Sequence, residues 1–422
     1  MKKFVINGGK KLAGEVEVST SKNAILPILA ASILAGKKDV ILESVTNITD
    51  VQRMLMIIES IGGKVDFSDG IVRINSENIS SCEVLGDNPS KFRASYYMIG
   101  SLLGRFKQAK VALPGGCPIG ERPIDQHIKG FKALGASVEL TSEYIYVEAK
   151  ELIGTSIFFD VISVGATINI MLAAVFAQGL TTLENVAKEP HVVDVANFLN
   201  TMGANIKGAG TDIIRITGIK ELSGCMYSAI PDQIEAGTYM IAAAAIGEEV
   251  VITNVITKHL EPVTAKLIEI GIEVIGNGES ITVKGCKPNL KPVKIQTLQY
   301  PGFPTDLQQP MGALLSLIEG TSTITEGVYE NRFLYLTQLE KMGVKYTIDG
   351  REACITGVKA LTPASLIATA FTSNPKGQET FIIRQQKSRT DCDETRIGVT
   401  YFICFIWVRQ QRRHSSCIER FA

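Results

Sequence analysis

Phe198-Leu-Asn-Thr-Met-Gly-Ala-Asn-Ile206 reads as a helix end, a glycine and the start of a strand, and the chain says it five times. The other copies are Ile57-Ile-Glu-Ser-Ile-Gly-Gly-Lys-Val65, Phe131-Lys-Ala-Leu-Gly-Ala-Ser-Val138, Leu267-Ile-Glu-Ile-Gly-Ile-Glu-Val274 and Leu339-Glu-Lys-Met-Gly-Val-Lys-Tyr346. The marker glycines Gly62, Gly135, Gly203, Gly271 and Gly343 are spaced by 73, 68, 68 and 72 residues. A glycine just past a helix suits the left-handed conformation that closes it. The alternation after it, as in Ile213-Ile-Arg-Ile216 or Ile281-Thr-Val-Lys284, predicts half-buried strands.

A second marker runs in phase with the first. Segments rich in Ala, Leu and Ile are predicted as helices ending at Gly36, Gly104, Gly179, Gly247 and Gly320. They open at Ser21-Lys-Asn, Lys91-Phe-Arg, Ser163-Val-Gly, Asp232-Gln-Ile and Thr305-Asp-Leu. Each unit then reads strand, apolar helix, strand, amphipathic helix, hairpin, a layered α/β plan. Six units fit the 422 residues and five are visible. After Ser365-Leu-Ile-Ala-Thr369 the composition shifts abruptly. The tail holds the only tryptophan, Trp407, three of the eight cysteines, and the run Arg409-Gln-Gln-Arg-Arg-His414.

Lysines plus arginines equal aspartates plus glutamates at 43 each, which removes any broad electrostatic case for nucleic acid or an anionic membrane as partner. The N-terminus has too few apolar residues for a signal peptide, no apolar stretch is long enough for a membrane span, and a cytoplasmic location is expected. No cysteines stand in C-x-x-C spacing, which argues against zinc and against a disulfide scaffold.

Cys117 sits where Pro114, Gly115, Gly116, Pro118, Gly120 and Pro123 leave no room for regular structure, five residues before Arg122. A nearby guanidinium lowers a thiol's pKa and raises its reactivity; the alternative is a surface turn with an incidental thiol. Helix N-termini attract anions. Lys22 and Arg93 at such ends oppose the helix dipole, which ordinary capping by Ser21, Ser163 or Asp232 would not require, and this points to an anionic ligand. Asp306 is either a cap or a general base. His127 and Lys129 are expected on a solvated first turn, and most of Glu326 to Arg332 on solvated surface. His191 and His259 lack metal-spaced partners, and no metal site is expected.

Ser21-Lys-Asn-Ala24, Phe92-Arg-Ala-Ser95, Pro114-Gly-Gly-Cys-Pro-Ile-Gly-Glu-Arg-Pro-Ile-Asp125, Ser163-Val-Gly-Ala-Thr167, Pro231-Asp-Gln-Ile-Glu235, Phe303-Pro-Thr-Asp306 and Tyr329-Glu-Asn-Arg332 together resemble the UDP-N-acetylglucosamine 1-carboxyvinyltransferases. The Tyr96-Tyr97 and Leu103-Gly-Arg-Phe106 surroundings are similar to the second paralogue of Gram-positive bacteria. The resemblance covers residues 1 to about 369. It implies a two-domain inside-out α/β barrel of βαβαββ-like units, with 22–230 as one domain, 1–21 plus 231–369 as the other, and substrates in the cleft between. It also implies transfer of the enolpyruvyl group of phosphoenolpyruvate to the 3-hydroxyl of UDP-N-acetylglucosamine with release of phosphate, the first committed step of peptidoglycan synthesis. No cofactor is implied. A related transferase acting on shikimate 3-phosphate shares the fold, and the cysteine loop argues against it.

On matched positions the resemblance implies that Lys22, Asn23, Arg93 and Arg122 hold phosphoenolpyruvate. Cys117 would protonate the methylene carbon and is the residue that fosfomycin alkylates in the family. Asp306 would accept the sugar hydroxyl proton, with Lys22 also catalytic. Arg93, Arg122, Pro123, Ile124, Asp125, Gln126, Ser163, Val164, Gly165, Asp306 and Val328 would hold the nucleotide sugar, and the Cys117 loop would close over it. The family continues its Ala-Thr segment with Asp-Leu-Arg-Ala, whose arginine also grips phosphoenolpyruvate; here Ala370-Phe-Thr-Ser373 follows, and Thr372 takes the arginine's place. One inserted base can convert the first set of codons into the second, so 370–422 reads as an aberrant tail, either frame-shifted or chimeric. The product would then lack the third unit of its second domain and be impaired, at most binding the UDP-sugar.

Overall fold

The computed structural model describes residues 3–7, 11–90, 93–113, 123–285, 288–359, 361–367 and 380–384. The chain divides into two compact units, with boundaries at Ser19/Thr20 and Ile230/Pro231. Between Thr20 and Ile230 lie the helices α1 (Lys22–Ser32), α2 (Thr49–Ser60), α3 (Asp87–Ser90), α4 (Tyr97–Phe106), α5 (Asp125–Ala133), α6 (Val164–Ala174) and α7 (Pro190–Thr201). From Pro231 on lie α8 (Gln233–Ile246), α9 (Glu261–Ile270), α10 (Gln308–Leu315) and α11 (Leu336–Glu340).

Five open four-stranded sheets share one plan. In the order Ser156–Phe158, Leu180–Glu184, Ile213–Thr217, Asn205–Lys207 the first pair is parallel and the next two are antiparallel. Glu83–Val84, Gln108–Ala112, Tyr144–Glu148 and Ser137–Leu140 repeat it, as do Lys294–Thr297, Thr321–Glu326, Glu352–Thr356 and Lys345–Asp349. In these three sheets the outer strand leads into an apolar helix and pairs with the strand that leaves it. In the remaining two the partners are exchanged. Leu12–Glu17 leads into α1 but pairs with Gly247–Thr253, which follows α8; Met226–Ser228 leads into α8 but pairs with Val40–Glu43, which follows α1. This exchange is why the chain passes twice between the units.

The apolar helices are buried because nothing on them needs water. Every residue of α6 from Ala166 to Ala174 is buried, and α4 packs against both α6 and α1. Gly100 and Gly104 permit that approach: a Cβ on Gly100 would stand 2.2 Å from the carbonyl oxygen of Asn169, and one on Gly104 2.9 Å from that of Leu172. In α2 burial is confined to one face, including Val51, Met54, Leu55 and Ile58. In the second unit α8 is buried from Ile234 to Ile246 and packs on α10.

All five marker glycines after the amphipathic helices have positive φ, from 93° to 106°. Of the second series only Gly36, at φ 64°, directly closes a helix in that way, the 3-10 turn Ile33–Ala35; Gly179 and Gly320 have positive φ but lie beyond the ends of α6 and α10 at Ala174 and Leu315. Gly104 lies inside α4, and Lys107 takes the left-handed position at φ 62°. Gly247 is extended and starts a strand; a Cβ there would meet the Ala243 carbonyl at 2.6 Å. Two expected helix openings also shift. A 3-10 turn, Arg93–Tyr96, precedes α4, and another, Thr305–Leu307, precedes α10.

The sixth sheet has three strands, ordered Lys3–Asn7, Thr380–Arg384, Ser365–Ile367. Its central strand lies within the segment read as an aberrant tail. Lys3–Asn7 pairs with it in parallel and Ser365–Ile367 in antiparallel sense. Among the described residues no helix is long and apolar enough to cross a membrane.

Candidate active site

The candidate residues fall into two sets, one in each unit. In the unit of residues 20–230, Lys22 and Asn23 form the first turn of α1 and are half-buried. Ser21 is buried but its side chain makes no capping bond, contrary to the expectation for it. Pro27 lies inside α1 and supplies no amide to the helix's hydrogen-bond ladder. Arg93 stands on the turn before α4 with its guanidinium 5.2 Å from the centre of the Tyr96 ring. Ser163 caps α6 by accepting from the amide of Ala166 at 3.3 Å, and Val164 and Gly165 form that helix's first turn.

Pro123 and Ile124 lead into α5, which opens on Asp125 and Gln126. Gln126 is buried: its Oε1 accepts from the Asp160 amide at 3.0 Å and its Nε2 donates to Asp125 Oδ2 at 2.7 Å. Lys129 pairs with Asp160 at 2.7 Å at the surface. His127 overturns the expectation of a solvated first turn, since it is only 4% exposed. Its ring lies 5.7 Å from that of Tyr96, and its Nδ1 is 3.1 Å from Asn169 Nδ2. Burial, reinforced by the charge of Arg93 and partly offset by Asp125, pushes its pKa down to about 3, so the imidazole is neutral at physiological pH. A Cβ on Gly165 would sit 3.0 Å from His127 Nε2. Arg93, Tyr96, His127 and Gly165 therefore form one contiguous cluster, with Gln126 beside it in sequence. Cys117 and Arg122 lie outside the described residues.

The second set lies in the other unit. Arg332 Nη2 donates to Asp306 Oδ1 at 2.7 Å, and the guanidinium lies 5.2 Å from the Tyr329 ring centre. Arg332 is 3% exposed, and its Nε and Nη1 have no hydrogen-bond partner among the described residues. Glu326 is fully buried. It accepts from the Thr305 hydroxyl and, at Oε1, from the amides of Val328 and Tyr329 at 2.9 and 3.1 Å. That carboxylate ties the turn carrying Asp306 to the loop carrying Val328. The expectation of a solvated Glu326–Arg332 segment thus fails at both ends, because each charge is matched by donors or by a counter-charge. Asp306 is not a side-chain cap; its shown partner is Arg332. Burial and the Glu326 charge raise the Tyr335 pKa, keeping that hydroxyl neutral. A surface hollow of about 210 Å³ lined by Thr257, Lys258, Glu261 and neighbours involves neither set.

A profile described as EPSP synthase (3-phosphoshikimate 1-carboxyvinyltransferase) matches residues 6–370. A UDP-N-acetylglucosamine 1-carboxyvinyltransferase of Clostridium botulinum is 59% identical over 370 residues, 87% of this chain and 88% of the relative. The chain belongs to this enolpyruvyl transferase family. Another member, UDP-N-acetylglucosamine 1-carboxyvinyltransferase 2 of Bacillus subtilis, is 50% identical over 87% of this chain and 86% of its own length. Among solved structures, the enolpyruvyl transferase NikO from Streptomyces tendae shares the fold, with a TM-score of 0.75 at 22% identity over 83% of each chain. EPSP synthase from Acinetobacter baumannii does so at 0.65 and 19%, over 84% of each. The enolpyruvyl transferase profile stops at residue 370, where the composition of the chain changes.

Proposed function

We propose that this chain is built to move the enolpyruvyl group of phosphoenolpyruvate to the 3-hydroxyl of UDP-N-acetylglucosamine, releasing phosphate and opening peptidoglycan synthesis. The carrying observation is the 59% identity to a transferase of that name across 87% of the chain. The chemistry of the two residue sets is consistent with it. Phosphoenolpyruvate bears several negative charges, and Lys22, Asn23, Arg93 and Arg122 are the groups to hold them, with charge stabilisation the largest expected catalytic contribution. Asp306, oriented by the charged hydrogen bond from Arg332, takes the proton of the sugar hydroxyl as its oxygen bonds to the substituted vinyl carbon. Cys117 delivers a proton to the methylene carbon. Loss of a proton from that carbon and of phosphate from its neighbour then restores the double bond. Pro123 to Gln126, Ser163 to Gly165, and Val328 are assigned to the nucleotide sugar.

A second reading comes from the end of the family match at residue 370 and from Thr372 in place of the family arginine. In it the chain is catalytically impaired or dead and at most binds UDP-N-acetylglucosamine, through residues 20–230. Phosphate release by the full chain with both substrates tests the pair. Release that stops when fosfomycin labels Cys117 supports the transferase. Sugar binding without phosphate release supports the second reading, and neither binding nor release sinks both.

A further inference from the structure

We propose that His127 is a positioning residue for the nucleotide-sugar side of the site, locked by Asn169 as the neutral imidazole with its proton on Nε2. The positioning role rests on the assignment of Arg93 and Ser163 to Gly165 to the sugar nucleotide; the tautomer does not. Asn169 is fully buried, and its amide can lie only one way. Its Oδ1 accepts from the backbone N–H of Gly100 at 2.8 Å, and its Nδ2 donates to the carbonyl of Tyr96 at 2.8 Å. The second N–H of the same amide then faces His127 Nδ1 at 3.1 Å. A nitrogen that meets a donor must accept, which leaves the proton on Nε2.

The ring so held has defined neighbours. One is Tyr96, which carries Arg93, and the other is the first turn of α6 at Gly165. Its thickness sets the distance from the Tyr96–Arg93 pair to that turn, and glycine at 165 leaves room for the Nε2 edge. The charged groups that bear on it are Arg93 from the turn before α4 and Asp125 from α5 itself. An imidazolium would place a second cation beside Arg93 and turn a donor toward the Asn169 NH2. A neutral ring avoids both and leaves Arg93 as the cation that faces the ligand.

Two measurements on the full-length chain test this. With histidine labelled in nitrogen-15, and the His127 signals identified by their loss in His127→Gln, the ring should show the Nε2–H tautomer throughout about pH 5 to 8. Asn169→Asp should convert it to an Nδ1 donor. Calorimetric titration with UDP-N-acetylglucosamine should give binding about tenfold weaker in His127→Phe, which keeps a ring but no nitrogens. His127→Gln, which returns a donor near the Nε2 position, should recover to within about threefold of wild type. A ring that titrates in that pH range, or carries its proton on Nδ1, overturns the tautomer. Wild-type binding in His127→Phe overturns the positioning role. A wild-type chain with the stated tautomer that takes up no nucleotide sugar overturns the functional assignment of this unit, and the positioning role with it, while the tautomer stands.

Discussion

Residues 20–230 and the residues from Pro231 on solve the same folding problem with unequal means. The first unit buries three apolar helices, α1, α4 and α6, behind three four-stranded sheets. In the second, α8 and α10 are the apolar helices among the described residues, and one of its three sheets has three strands. The odd sheet also differs in sense. In the other five, the strand that leads into an apolar helix has a parallel partner, whereas Ser365–Ile367 has the antiparallel neighbour Thr380–Arg384. A parallel partner requires a crossover, usually a helix that also fills the core, while an antiparallel one needs only a reversal. Residues 20–230 thus carry a full set of repeats, whereas the other unit takes the central strand of its third sheet, Thr380–Arg384, from beyond residue 369.

The strongest challenge to this contrast is to replace 370–422 with the C-terminal segment of the Clostridium botulinum relative. If the family arginine is what Thr372 lacks, phosphate release should rise by about a hundredfold or more. An unchanged rate would mean that the sixth sheet as it stands already supports the chemistry.

Paired glycine substitutions probe the contrast between the two cores more finely. In Gly100→Ala the new methyl would meet the Asn169 carbonyl at 2.2 Å, and the backbone of α6 must move. In Gly312→Ala it would meet the Tyr335 hydroxyl at 2.0 Å, which is the end of a side chain. We expect losses of about 3 and about 1–2 kcal/mol respectively, net of the helix propensity gained by alanine. Urea unfolding, with hydrogen exchange to assign each loss to its unit, reads the difference. Equal losses would show that Tyr335 is held as rigidly as the α6 backbone.

These glycines also mark how much can be read from the chain alone. Gly62, Gly135, Gly203, Gly271 and Gly343 are legible because a local conformation, positive φ after a helix, demands glycine there. Gly104 misleads because its demand is tertiary, the Leu172 carbonyl of α6 pressed against the missing methyl, and Gly247 because it leaves α8 in extended conformation, crowded by the Ala243 carbonyl four residues before it. The same divide runs through the site. Lys22 and Arg93 stand out by violating the helix dipole rule, a local signal. Arg332 does not, since its partner Asp306 is 26 positions away and a charged run reads as solvated until both ends are paired. His127 misleads for a similar reason: its cover comes from Tyr96 and Asn169, on other elements. A buried asparagine within an apolar helix is the available clue to that cluster.

His127 offers a pH test of the first unit. Its pKa is pushed from 6.5 down to about 3 in the folded chain, so below pH 6.5 the unfolded state takes up a proton that the folded state refuses. Stability from this group is therefore complete above 6.5 and falls by about 1.4 kcal/mol per pH unit on acidification toward 3. His127→Gln should remove that slope between pH 6.5 and 5, as measured by urea unfolding of residues 20–230. An identical slope in the variant would mean that the buried imidazole accepts a proton after all.

The smallest effects compare the helix caps. Asp232 accepts from the amides of Ile234 and Glu235 at 2.9 and 3.1 Å and places a negative charge at the start of α8. Ser163 makes one longer bond at 3.3 Å for α6, and Ser21 makes none for α1. Replacement by alanine should cost about 1–2 kcal/mol at Asp232, about 0.5–1 at Ser163, and a few tenths at Ser21. Each loss is read by hydrogen exchange in the helix concerned. The order matters more than the values. A unit whose described core has two apolar helices should lean harder on the cap of one of them, so a larger loss at Ser163 than at Asp232 would reverse the inequality between the two units.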